Sequence, residues 1–275
     1  MRKIICLLLV SCITVASSAQ LNDVKQSELK GKVRSVKLQR TYRYKKTDVF
    51  TPWEKTYASL TLYNNTGRYT EFQELKADGT AFYKTLYSYN MKEKKGEVTY
   101  FDKDGKSTGK YDYIFDDKGR KIEEIQYKLT GEVNRRYTYT YDENGNNTSM
   151  TGYKSDGTMS SKTTWGYDAK GNNTDWKLET PGYATSTKKN VYDDKGNKID
   201  EITYNGRGEI KFHVTKSYDA KGNVLEERTY KEANSFLHNS TWKYEYDKMG
   251  NWTKRTQTSG EGEDFNIEER TITYY

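Results

Sequence analysis

Cysteine is almost missing from this sequence, and the two present, Cys6 and Cys12, both fall in its opening stretch. Residues 20–275 then hold no thiol, which excludes disulfides, thiolate metal sites and a cysteine nucleophile. Histidine is nearly as scarce: His213 and His238 stand far apart and read as surface or half-buried side chains, not catalysts. No phosphate-cradling glycine loop or H-E-x-x-H occurs, so the common nucleotide and zinc-protease signatures are out. Aliphatics are few as well. Ile, Leu, Val and Phe make up only 36 of residues 20–275, a level that ordinarily signals disorder. Beyond Ile4–Val15 there is no long hydrophobic run, so no spanning helix is expected. No Pro/Ser-rich linker interrupts the chain, which predicts one continuous unit.

Tyrosine is what the chain has instead. All 26 lie beyond residue 19, and a tyrosine buries a large ring while its hydroxyl stays near water. Tyr137, Tyr139 and Tyr141 fall on one side of a pleated strand, with Thr138 and Thr140 on the other. Asp142 then suits the first position of a type I turn, and Gly145 the position where a bulged hairpin needs φ > 0. This unit recurs. The residue before each such turn is Tyr63, Tyr89, Phe115, Tyr141, Tyr167, Tyr192, Tyr218 and Tyr246, at intervals of 26, 26, 26, 26, 25, 26 and 28. The following glycine recurs too, with Glu93 in its slot in the second copy. A second turn lies half a period on, at Gly79, Gly105, Gly131, Gly157, Gly182, Gly208 and Asn234. Each repeat therefore reads as two strands and two turns, in an array whose units bury their faces against their neighbours.

Residues 1–19 read as a signal peptide: Arg2-Lys3, the apolar Ile4–Val15 and a small-residue cleavage site at Ser17-Ser18-Ala19. The alternative is a lipobox, Leu9-Val10-Ser11-Cys12, which would make Cys12 a lipidated N-terminus. Without Arg2 and Lys3 the chain carries 44 basic against 39 acidic residues, interspersed, which reads as a solvated surface and not a nucleic-acid patch. Residues 20–55 are expected to be a cap, with a short helix over Leu21–Lys30 ended by Gly31 and a first strand over Lys32–Tyr44. Residues 56–275 form the array. The fold class is all-β: an antiparallel meander of two-strand repeats in a twisted or coiled sheet, solenoid-like or partly closed, with the tyrosine face inside the curve.

Few residues suggest chemistry. The acid pairs Asp116-Asp117, Asp193-Asp194 and Glu226-Glu227 are turn residues or neighbours on a strand that face opposite ways. The turn aspartates offer only one or two carboxylates each, often beside a lysine, which is turn chemistry and not a calcium loop. The sequons at Asn64, Asn146, Asn172, Asn239 and Asn251 mostly sit where a turn wants Asn. The tryptophans are the candidate ligand contacts: Trp165 and Trp242 share the parity of the tyrosines, whereas Trp176 and Trp252 follow turns. Aromatic faces on a sheet can stack on sugar rings.

The string Tyr141-Asp142-x-x-Gly145-Asn146, then Tyr153-x-x-Asp156-Gly157, then Tyr167-Asp168-x-x-Gly171-Asn172, resembles the YD repeats of the bacterial Rhs family. The resemblance covers about Tyr57 to Asn251. It implies a coiled antiparallel sheet, an exported location and a repeat associated with carbohydrate binding. The opening Leu29-Lys-Gly-Lys-Val-Arg-Ser-Val36 also resembles short exported repeat proteins of Bacteroidetes. The period is longer than the family's, there is no toxin tail, and with so few repeats an open or partly closed coil is expected in place of a shell. Together these features predict a non-catalytic binding or scaffold module of the cell envelope, in the periplasm, on the outer-membrane surface or secreted. Its expected partner is a glycan or an envelope protein, with no cofactor, metal or nucleic acid. The alternatives are an interaction module without a small ligand and, third, a glycan-active enzyme.

Overall fold

A computed structural model describes residues 27–43, 45–46, 49–50, 54–232, 235–260, 262 and 264–275, and the side chains of these outside 45–56 and 264. The leader, the lipobox and most of the expected Leu21–Lys30 helix lie outside the described residues. Ser27–Lys30 is a turn and irregular chain, not helix, and Glu28 adopts φ 58° there. Among the described residues twenty strands follow: β1 (Val33–Tyr42), the short hairpin β2 (Lys45–Lys46) and β3 (Val49–Phe50), β4 (Glu54–Tyr63), β5 (Tyr69–Leu75), β6 (Ala81–Asn90) and β7 (Lys95–Phe101). Next are β8 (Ser107–Phe115), β9 (Lys121–Tyr127), β10 (Val133–Tyr141), β11 (Asn147–Lys154), β12 (Met159–Tyr167), β13 (Asn173–Glu179) and β14 (Ser186–Tyr192). The chain ends with β15 (Lys198–Tyr204), β16 (Ile210–Tyr218), β17 (Val224–Lys231), β18 (Ser235–Tyr246), β19 (Trp252–Ser259) and β20 (Asp264–Tyr274).

Eighteen of these form one antiparallel sheet, and it closes. β1 pairs with β4 on one side and β20 on the other, while β9 and β10 join the two halves of the meander. The expected solenoid-like or open course is therefore corrected: the first strand fills the gap between the last hairpin and the first. Closure removes both edges, whose unpaired N–H and C=O groups would otherwise recruit other chains. An all-antiparallel ring also needs an even number of strands, which this ring has.

The turns show why the repeat folds locally. In the repeat ending at Tyr141, the Asp142 and Asn146 main chains bond at 2.9 Å, and the Gly145 N–H donates to the Asp142 carbonyl at 3.1 Å. Asp142 Oδ1 accepts the Asn146 N–H at 2.8 Å while Oδ2 accepts the Asn146 side-chain amide at 2.9 Å. Gly145 stands at φ 86°, and the register slips by one between Thr140 and Tyr141, the bulge the sequence implied. The same pattern recurs at Asp168, Asp193 and Asp219. The second copy departs from it: Lys94, not Glu93, takes the left-handed conformation, and Asn90 pairs directly with Lys95 without a bulge.

Residues paired directly across an antiparallel ladder share a face, so the register can be followed round the ring. From Arg40 the partners pass through Tyr57, then Val98 and Tyr111, Glu124 and Tyr137, Trp165 and Trp176, and return through Arg255 and Glu268 to Arg40. This face holds Val36, Ser59, Thr85, Val98, Asn190 and Glu268, all buried, whereas Ala58 is the buried strand residue on the other. It is the concave, inward face. Most inward side chains are only half-buried, as expected when a ring of this many strands is too wide for opposite walls to meet and fill the centre. The outward face is mainly Thr, Lys, Ser and Glu, with Tyr127, Tyr153, Tyr204 and Tyr230 and aliphatics such as Leu60, Leu62 and Val191, the last at 53% exposure.

At the end carrying the Tyr-Asp turns, Ser27–Lys32 crosses the rim. Ser27 Oγ meets Tyr69 Oη on β5 at 2.9 Å, and Lys30 N donates to Asn251 Oδ1 in the β18–β19 turn. Leu29 is buried beneath this strap with Val33, Val36 and Tyr63, against Tyr69, Ile272 and Tyr274. The apolar core thus lies at the closure seam.

A candidate ligand-binding lumen

Tyrosine hydroxyls account for much of the inner wall's order. Tyr141, Tyr167, Tyr192 and Tyr218 each donate to a main-chain carbonyl of the preceding repeat: Lys121, Asn147, Asn173 and Lys198, at 2.6–2.8 Å. In the long final interval Tyr244, 26 residues after Tyr218, makes this bond to Val224, and Tyr246 instead reaches Asp219 Oδ2 at 2.7 Å. Burial pushes the phenols of Tyr141, Tyr167 and Tyr218 up to about 12, with nearby carboxylates, Asp116, Asp142 and Asp193, adding to it. Rings also meet along the wall in tilted pairs, Tyr63 with Tyr69 and Tyr69 with Tyr87, at centroid distances of 5.2 and 5.5 Å.

All four candidate tryptophans face inward, including Trp176 and Trp252, which the turns had set apart. Trp165 and Trp176 are direct partners across β12 and β13. Lys188 Nζ lies 5.8 Å from the Trp176 ring, and the Trp165 Nε1–H is buried with no acceptor. Two strands along, the Asn190 Oδ1 is a buried acceptor with no donor. An unmatched donor and an unmatched acceptor beside paired indoles are groups a polar ligand would satisfy. Trp242 and Trp252 occupy neighbouring strands at different heights: Trp252 pairs with Tyr246 near the turn, Trp242 with Gln257 farther up. The structure does not bring these two together, nor does it join them to the Trp165–Trp176 pair. Trp252 is not an open stacking face, because Arg270 lies 3.4 Å and Arg255 4.8 Å from its ring centre.

Inward charges, which sequence reasoning passed over, are the other feature of the wall. Glu201 lies between Lys188, at 2.7 Å, and Lys198. Burial pushes its carboxyl up, but bonds and charge from the two lysines outweigh that and bring it down to about 2. Glu268, 1% exposed, is held by Arg40 Nε at 2.7 Å and by Arg255. Position gave part of the signal, since Lys188 and Arg270 stand four places before Tyr192 and Tyr274 and share their inward side, but Glu201 and Glu268 stand at no such spacing.

The remaining candidates scatter. His213 faces outward on Asp200 at 2.8 Å, whereas His238 pairs with Thr229 on the inner side. Asp116 and Asp193 cap turns, Asp117 and Asp194 reach Lys94 and Lys170, and Glu226 and Glu227 bond on opposite faces, to Arg228 and Lys216. Among the described residues no group of three or more His, Cys, Asp or Glu converges. A cleft of about 420 Å³ opens at the rim opposite the strap, lined by Tyr100, Tyr111, Tyr127 and Leu129.

Neither a family model nor a curated protein matches the sequence. Among solved structures, a porin-like protein from Bacteroides uniformis is similar at a TM-score of 0.50 and 15% identity, covering 89% of this chain and 99% of that one. The chain shares its fold. A porin-like protein from Bacteroides vulgatus matches at a TM-score of 0.38 and 10% identity over 86% of this chain and 97% of that one. A chain of the TcdB2–TccC3 complex matches at 0.30 and 12% over 83% of this chain and 15% of that one.

Proposed function

We propose that the protein is an exported, non-catalytic binding barrel of the bacterial envelope that stands in water and takes a ligand against its aromatic inner wall. The observation that carries this reading is the division between faces: the tryptophans, most of the tyrosines and the unmatched Trp165 and Asn190 groups line the inside beside a few buried ion pairs, whereas a polar surface of mixed charge covers the outside. A lipid-spanning barrel has the reverse, an apolar outer band about 25 Å tall around a polar lumen. Here ion pairs girdle the outside at Lys110–Glu97, Arg136–Glu123, Lys177–Glu179 and Arg228–Glu226. Several strands, such as β5, β9 and β13, have seven residues, fewer than the nine to eleven a tilted spanning strand needs. No helix among the described residues is long and apolar enough to cross a membrane. The likeness to the porin-like protein of Bacteroides uniformis is thus a likeness of fold alone.

Glycan is the ligand class the inner wall fits best, through paired indoles flanked by Asn190, Lys188 and Glu201. The Tyr-Asp turn grammar supports kinship with Rhs-type repeats. Two measurements test the reading. Incubated with anionic vesicles, the protein without its leader stays in the supernatant on flotation. Neutral and acidic envelope oligosaccharides shift its tryptophan emission, and Trp165→Ala with Trp176→Ala abolishes the shift. Flotation with the vesicles contradicts the aqueous barrel. Capture of an envelope protein with no glycan response favours the interaction-module reading, for which the continuous threonine- and lysine-rich exterior is the available surface.

A further inference from the structure

Four residues on β19 and β20 and one on β1 form a cluster inside the barrel that the turn and strand chemistry leaves incomplete. Glu268 is fully engaged by Arg40 and Arg255. Arg270, one inward position along β20, has neither an ion-pair partner nor a hydrogen-bond acceptor for its guanidinium among the described residues. Its guanidinium carbon lies over the Trp252 ring, 3.4 Å from the indole centre. It is largely buried, and burial, followed by the adjacent Arg255, pushes its guanidinium down to about 10, with Glu268 opposing and Glu28 of the rim strap acting from farther off. A buried guanidinium with its donors unspent is costly. Stacking on an indole fixes the plane of the fork and leaves its edge free for a bidentate acceptor.

We propose that Arg270, fixed by Trp252 and flanked by Arg255, is a luminal anchor for an oxyanion, the carboxylate of an acidic sugar or a phosphate. This deepens the binding-barrel reading and rests on it: the aromatic wall carries the body of the ligand, and Arg270 selects its charged end. Arg40 and Arg255 are instead oriented by Glu268, which accepts from Arg40 through Nε and a terminal nitrogen and from Arg255 through Nε. The site also accounts for the surplus of cations around Glu268, which no other described carboxylate neutralises at bonding distance.

The test uses the protein without its leader and three probes at constant ionic strength: inorganic phosphate, glucuronate and glucose. Thermal midpoint and tryptophan emission are followed for the native protein and for Arg270→Met and Arg270→Lys. The expected result is saturable stabilisation by phosphate or glucuronate but not glucose, weakened about ten-fold or more in Arg270→Met, the loss of a charge-assisted pair, and partly kept in Arg270→Lys. Whichever of phosphate and glucuronate acts at lower concentration identifies the source of the oxyanion. Ligand-free Arg270→Met should melt no lower than the native protein, since an unpaired buried charge is gone and the stem still packs on Trp252. A lower midpoint for ligand-free Arg270→Met, with anions acting equally on both proteins, overturns the proposal by making Arg270 structural. Response to neutral oligosaccharides alone, untouched by Arg270→Met, overturns the anion site and leaves the binding barrel standing. No response of the native protein to phosphate or to any acidic or neutral saccharide overturns both.

Discussion

A tyrosine hydroxyl bonded to the main chain of the previous repeat is the contact that makes this thin wall cohere. Tyr167→Phe keeps the ring but leaves the Asn147 carbonyl without its donor. It should lower unfolding free energy by about 1 kcal/mol in urea titration. Phe115, 1% exposed, shows that the ring alone suffices where the neighbour is Gly96: a Cβ there would come within 3.1 Å of the Phe115 ring. Gly145→Ala should cost about 1 kcal/mol or more, because φ 86° is open to glycine and strained for alanine. At this scale the sequence was highly legible, since Asp, Gly and Asn each have one reason to stand where they do. The exceptions are instructive. Glu93 fills the glycine slot by spacing, yet Lys94 takes the left-handed turn, because the absence of a bulge moves the slot by one. Tyr244 is legible as the true 26-residue partner only once its bond to Val224 is seen.

At the scale of the strand pair, inward charges make stability depend on pH at both ends. The Glu201 carboxyl lies at about 2 in the folded chain, below its ordinary value near 4.5. Its contribution is therefore complete above pH 4.5 and is lost as pH falls from there toward 2. The turn carboxylates of Asp142, Asp168 and Asp193 are also held down, chiefly by the Asn side chain four residues on, and act in the same direction. Acid unfolding should begin below pH 4.5, and Glu201→Gln should flatten the dependence between pH 4.5 and 2. The tyrosines work in the opposite sense. Tyr141, Tyr167 and Tyr218 titrate at about 12 when folded and 10 when not. Their contribution is complete below pH 10 and is lost as pH rises to 12. Tyrosinate absorbance should lag that of a model tyrosine through this interval and then rise together with loss of the β signal in circular dichroism. Alternation showed which residues share a face, but not which inward acid meets which cation, because that depends on bulges at every turn and on partners two strands away.

For the whole molecule, period and alternation are the same in an open ribbon and a closed ring, so the sequence left closure open: the partly closed course it allowed agrees with the ring, and the solenoid-like one does not. What decides it is complementarity between strands more than 200 residues apart. Arg40 meets Glu268, Ser35 Oγ meets Thr273 Oγ1 at 2.6 Å, and Tyr275 Oη donates to the Tyr63 carbonyl at 2.6 Å. None of these is visible as a repeat, since β1 precedes the array and β20 is its last strand. The aromatic-in, polar-out division was half legible. Tyrosine parity gave the inner face, but whether the charged face met water or protein depended on the ring shutting.

The seam between β1 and β20 tests closure most directly, and the chain without its leader contains no native thiol to confuse the result. Ser35 and Thr273 are direct partners across that seam, and antiparallel partners have Cα separations of about 4.5–5.5 Å, within disulfide reach. Ser35→Cys with Thr273→Cys should oxidise to an intramolecular disulfide in monomeric protein and raise its thermal midpoint. Ser35→Cys with Thr138→Cys, whose positions lie on separate arcs of the ring, should stay reduced. Two freely alkylated thiols in the seam variant, or crosslinks only between molecules, would contradict the closed barrel.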